Sequence, residues 1–310
     1  MTGGRAALLA TGACVVAAGC WAANAIIAAG AFERGVSPER LAQARVMVAL
    51  VPLAAVLLAT RRDLLLPPRA AVPALVAFGI SMMIVNWAYY VAIDRVPVGV
   101  AISLQYTAPV MILVGMALAT RRVPAALLWI AGALTLVGGA LVSGTIGGDG
   151  TTSGPDPLGL AAGVVSALSF AGYLLSAELA GHRGSHPVTT LFIGFVVAVA
   201  AWAIVLPVWG WPVELLADPE VAWRVVAVGL VGTLIPFALV VTALRFVTSA
   251  VASIATTAEP VLAALLAWLL LGQVLGSMQL VGGALVVAGV LVAQLVRHPS
   301  REAASVEVAA

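Results

Sequence analysis

The chain has 310 residues, 63% of them hydrophobic and 9% charged, with a mean hydropathy of +1.13, whereas a soluble globular chain carries about 25% charge. This describes an all-α integral membrane protein, and a formal charge of +2 offers no footprint for nucleic acid or for attachment to a lipid surface. All fifteen basic residues are arginine, which excludes a Walker A lysine and a pyridoxal Schiff base; no cofactor is expected.

A bilayer core takes about 20 apolar residues per helix, and charged, proline-rich and glycine-rich breaks divide the chain into ten candidate spans. They run over 6–30, 39–60, 70–93, 97–119, 124–143, 157–179, 187–209, 221–244, 248–271 and 275–296. The first has the outline of a signal peptide, with Arg5 ahead of an alanine-rich run, but its length and the spans that follow at once mark a membrane helix. Cys14 and Cys20 inside it read as small packing residues, since a bond between them clashes with helical geometry.

With the N-terminus inside, ten arginines lie on the cytoplasmic side (5, 61, 62, 69, 121, 122, 183, 245, 297 and 301) and five on the other. The positive-inside rule then predicts both termini in the cytoplasm of the plasma (inner) membrane. The opposite face holds the acidic stretches GGDGTTSGPDP and VELLADPE, with Trp209, Trp211 and Trp223 near the second as an interfacial belt.

A shift of 151 residues lays VGVAISLQYTAPV (98–110) on SAVASIATTAEPV (249–261), Pro109 on Pro260. The same shift places Gly132 on Gly283 and Gly138 on Gly289, so duplication is favoured over chance. Five spans per half is an odd number, which inverts the second copy in the membrane. The predicted organisation is a first repeat over 1–143, an external linker over 144–156, a second repeat over 157–296 and a cytoplasmic tail over 297–310. Inverted repeats are a construction of secondary transporters, whose site lies near the midplane between the halves.

Polar groups inside the spans carry the functional expectation. A carboxylate or guanidinium near the bilayer centre costs about 2.5 to 3.5 kcal/mol, so such a group usually faces the bundle interior or a water-filled path. Glu259 lies about midway along its span. Pro260 beside it disfavours helix at the preceding residue and frees a carbonyl one turn back, so helix kinks are expected at Pro109 and Pro260. Glu259 has two readings, a proton-exchanging group and a structural glutamate that caps freed backbone. Arg45 has two as well, a partner for a substrate carboxylate and an anchor that snorkels to the interface. Arg224 reads as an anchor.

Asn86 and Tyr90, with Tyr89 beside them, and Gln105 with Tyr106 are the densest polar and aromatic group of the first half. With Trp21, Asn24, Thr256 and Thr257 they form a candidate site for a small-molecule substrate, although any one of them can equally serve an interhelical hydrogen bond. Gly159 and Gly163 have spacing for close helix approach, within the bundle first and in a homodimer second. HRGSH, holding His182 and His186, lacks the partners of a metal site, and none is expected.

The stretches WAANAIIAAGAFERGVSPERLAQARVMVALVPLAAVLLA and TTAEPVLAALLAWLLLGQ resemble the EamA-type domains of the drug/metabolite transporter superfamily, over nearly the whole chain. MMIVNWAYYVAIDRVPVGVAISLQYTAPV is similar to the threonine/homoserine exporter branch, which implies amino acids as substrates. The chain departs from that branch at Gln105, usually a glutamate, and at Ala108, usually a glycine, and from the EamA pattern at Gln273, commonly a glutamate. The expectation is an exporter of small metabolites working by alternating access, amino acids first. A translocator of lipid-linked or nucleotide sugars is the alternative on the same fold. An intramembrane enzyme is disfavoured because the five aspartates lie scattered in loops.

Overall fold

The structure is a computed structural model that describes residues 2–96, 98–142, 156–271 and 276–295. The expected tail, Gln273 and all of the linker except Asp156 lie outside the described residues. Among these residues every regular element is helical. Among the described residues nine helices are long and apolar enough to cross a bilayer, and Ala126–Val142 is a shorter apolar helix.

The first half comprises α1 (Thr2–Phe32), α2 (Pro38–Thr60), α3 (Val72–Arg95), α4 (Val98–Gln105), α5 (Ala108–Thr120) and α6 (Ala126–Val142). The second comprises α7 (Pro157–His182), α8 (Pro187–Val205), α9 (Pro219–Gly229), α10 (Ile235–Ala243), α11 (Ser249–Thr256), α12 (Glu259–Leu271) and α13 (Ser277–Gln294). A π turn, Leu230–Leu234, joins α9 to α10 into one span. The seventh span ends at Val205, short of the expected 209, because Pro207 and Pro212 turn the chain into two short 3-10 segments.

Four helix starts share one device. Ser37, Asp156, His186 and Asp218 each precede a proline at the first helical position and accept a hydrogen bond from the backbone N–H of Arg40, Leu158, Val188 and Glu220. The missing proline N–H is one that would have no intrahelical partner anyway.

The repeat is visible in the breaks. α4 and α11 have 8 residues each and α5 and α12 have 13 each, all related by the 151-residue shift. The fourth and ninth spans are therefore each interrupted just before a proline, Pro109 or Pro260, whose ring removes a backbone donor. Packing follows the same symmetry: α3 runs along α7 as α9 and α10 run along α1, while the equivalent pairs α2 with α8 and α6 with α13 contact each other. The α6–α13 crossing is close enough that a Cβ on Gly138 would lie 2.6 Å from the Gly282 carbonyl oxygen. Gly159 and Gly163 serve the same purpose on α7, facing Val96 and Leu104.

Candidate functional site

A cavity of about 380 Å³ lies between the halves, extending from mid-bundle along α1 toward Phe32 at the face opposite the termini. Trp21, Asn24, Arg45, Asn86, Tyr89, Tyr90, Gln105 and Glu259 line it, so eight of the residues singled out from sequence meet around one space. They come from α1, α2, α3, α4 and α12.

Arg45 is 3% exposed and faces the bundle interior, not the interface. Nη1 donates to Asn86 Oδ1 at 2.5 Å and to the Tyr90 hydroxyl at 3.5 Å. Nε donates to Thr233 Oγ1 at 2.7 Å, and Nη2 to the Gly232 carbonyl at 2.5 Å. Asn86 is itself fixed, its Nδ2 donating to the Met82 carbonyl at 2.8 Å.

Local sequence explains why the eighth span can receive a guanidinium. Pro236 removes the N–H that would bond the Gly232 carbonyl in an α-helix, and the π turn opens the ladder at that point. Thr233 spends its hydroxyl proton on the Val228 carbonyl at 2.9 Å, which leaves an oxygen lone pair for Arg45. A Cβ on residue 232 would collide with the Asn24 side chain, so any residue but glycine there displaces Asn24.

The protein-family comparison agrees with this architecture. The model described as the EamA-like transporter family matches residues 8–144 and again 157–294. The chain belongs to the EamA-like transporter family. It is 28% identical over 234 residues to the threonine/homoserine exporter RhtA of Escherichia coli K12, covering 73% of each chain. To RhtA of Salmonella typhimurium LT2 it is 26% identical over 220 residues, covering 69% of this chain and 68% of the other. A crystal structure described only as that of a protein superposes with a TM-score of 0.73 at 21% identity, over 92% of this chain and 96% of that one. The chain is thus a multi-pass membrane transporter of the drug/metabolite transporter superfamily, not an enzyme.

Within this EamA bundle, a cluster of aromatic rings packs around Trp21 on the cavity wall, and sequence reasoning did not find it. Trp21 stands edge-on to Phe237 at 5.7 Å and to Phe170 at 6.2 Å, and Tyr173 packs on Phe170 at 5.0 Å and on Phe237 at 5.4 Å. Phe170 and Tyr173, three apart on one helix face, were the available signal. Two buried polar atoms on the cavity wall, Asn24 Oδ1 and the Tyr173 hydroxyl, have no partner among the described residues.

Three expected site residues sit outside the cavity wall. Thr256 and Thr257 are buried and donate to the Ser253 carbonyl at 2.9 and 3.0 Å; where α11 stops short of Pro260, these hydroxyls bond back into their own helix. Tyr106 is buried against Gly139, its hydroxyl next to the Glu259 carboxyl group. Arg224 stacks on Trp223, pairs with Glu220 at 3.3 Å and reaches the Ile27 carbonyl at 3.4 Å. In HRGSH, His182 lies 3.7 Å from Glu178, and His186 caps α8. Burial first, then Arg245, hold His186 below the ordinary histidine range.

Proposed function

We propose that the protein exports small amino acids across the plasma membrane by alternating access between its two repeats. The observation that carries the reading is a cavity between the halves that holds one guanidinium, Arg45, and one carboxyl group, Glu259, in an otherwise neutral and aromatic wall. A zwitterion brings the complementary pair of charges and adds no net charge to a buried site. Apolar rings then receive its side chain.

The relatives named threonine/homoserine exporter support amino acids as the first class to test. The arginine asymmetry of the loops supports cytoplasmic termini. In that orientation the Phe32 end of the cavity is the one nearer the outside. A volume of about 380 Å³ favours an amino acid over a lipid-linked or nucleotide sugar.

The test is metabolite export from cells producing the wild type, Glu259→Gln or neither, each fed dipeptides that overload internal amino acids. Faster appearance of particular amino acids outside wild-type cells, lost in Glu259→Gln at equal membrane abundance, supports the reading and gives Glu259 a direct role. If no amino acid moves faster than in cells without the protein, the substrate class is wrong. Normal export by Glu259→Gln reduces that carboxyl group to a structural part.

A further inference from the structure

The Arg45 guanidinium is placed where a substrate carboxylate would be expected to bind, yet the edge a carboxylate uses is occupied. A bidentate pair takes two parallel N–H groups, and Nε and Nη2 form such an edge. Here Nε is spent on Thr233 and Nη2 donates to Gly232, while Nη1 holds Asn86 and Tyr90. Arg45 and Asn86 belong to the first repeat, and Gly232 and Thr233 to the second. The guanidinium therefore ties the two repeats together across the substrate cavity.

The partners on that edge are neutral oxygens. Against these neutral acceptors a carboxylate brings an opposite full charge and two parallel oxygens that match the fork, so it competes for the same donors with an ion-pair attraction that a hydroxyl and a carbonyl lack. Next to this edge Asn24 Oδ1 stands without a partner and would meet any Cβ at residue 232. Glu259, on the cavity wall, offers an acceptor for an ammonium group while the carboxylate takes the guanidinium.

We propose that the tie from Arg45 to the π turn is a latch opened by the substrate's own carboxylate, and that Thr233 thereby determines specificity. Binding of an α-amino acid transfers the Nε–Nη2 edge from the second repeat to the substrate and frees the halves to rock. An amine of the same shape without the carboxylate occupies the cavity but leaves the latch closed. The inference rests on the amino-acid reading above and assigns the carboxylate a task within it.

The experiment is counterflow in proteoliposomes loaded with radiolabelled phenylalanine, and in parallel with threonine, each challenged from the opposite side. Unlabelled amino acid accelerates efflux in the wild type, whereas phenylethylamine, or 1-amino-2-propanol for threonine, slows it by filling a site that cannot turn over. In Thr233→Val, isosteric but without the acceptor oxygen, the amine changes from inhibitor to accelerator, raising efflux about tenfold over its effect on the wild type. Thr233→Ser, which keeps the hydroxyl, retains inhibition.

An amine that accelerates wild-type efflux, that still inhibits Thr233→Val, or that has no effect on either protein overturns the latch while leaving the amino-acid reading in place. If neither amino acid exchanges in the wild type, the amino-acid reading fails and the latch with it. Should Thr233→Val not reach the membrane, the wild-type response to the amine still decides.

Discussion

A methyl group added at Gly138 tests whether the two repeats are closed against each other at the α6–α13 crossing. That Cβ would lie 2.6 Å from the Gly282 carbonyl oxygen, 2.8 Å from the Val286 backbone nitrogen and 2.9 Å from Val286 Cγ2. Two of the three atoms are α13 backbone, which cannot rotate aside, so the helices must part by a good fraction of an ångström. Overpacking of this kind costs about 1–3 kcal/mol, and here the upper end applies; the alanine returns about 0.5–1 kcal/mol of helix propensity. Gly138→Ala should lose about 2 kcal/mol, a fall of about 3 °C in Tm for a chain of 310 residues. Gly115→Ala is the control, because nothing stands within 4 Å of a Cβ there and only the propensity gain remains. Thermal unfolding of the purified protein, followed by tryptophan fluorescence, compares the two. Gly282→Ala meets the Gly138 carbonyl oxygen at 2.6 Å, so the double variant should lose less than the sum of the singles. The reasoning is refuted if Gly138→Ala is as stable as Gly115→Ala, or if the two crossing variants add in full.

Further outcomes follow from the connections at the face opposite the termini. Gln43 is fully buried and ties α2 to the 206–212 segment through the Leu206 carbonyl at 2.5 Å, while accepting from Arg40 at 3.1 Å. Gln43→Leu leaves that carbonyl without its donor, a loss of about 1–3 kcal/mol, and limited proteolysis should cut the 206–218 segment faster than in the wild type. Asp156, outside the spans, is held below its ordinary range by the Leu158 N–H first and by Arg95 second. A lowered carboxyl pKa contributes stability that is complete above the unfolded value of 3.8 and is lost as pH falls through the folded value. The Tm of Asp156→Asn should therefore lie below the wild type at neutral pH, and the two curves should converge below about pH 4; a constant offset across that range counts against the assignment.

Hydropathy, loop arginines and the 151-residue self-similarity were enough to read a ten-span, two-repeat membrane protein from the sequence, because each acts residue by residue on the choice between lipid and water. Prolines 109 and 260 likewise announced the two broken spans, since a missing N–H has the same effect in any fold. Even the cavity was partly legible: a carboxyl group is expensive in lipid, so Glu259 was expected to face the interior, whereas the sequence left Arg45 between the cavity and the interface and only the fold placed it inside. What only the tertiary structure decided is which partner each polar group meets. Arg45 joins Thr233 across 188 residues of sequence, and the π turn that receives it leaves no compositional sign, being one residue of slack ahead of Pro236 in a run as apolar as its neighbours. Thr256 and Thr257 look like cavity residues by type and turn instead to their own helix, because the Ser253 carbonyl, three and four residues back, lies within hydrogen-bond reach of both hydroxyls. Phe170, Tyr173 and Phe237 look like any lipid-facing aromatics until the packing of α1, α7 and α10 brings their rings together, and contact between helices distant in sequence is a property no single helix carries.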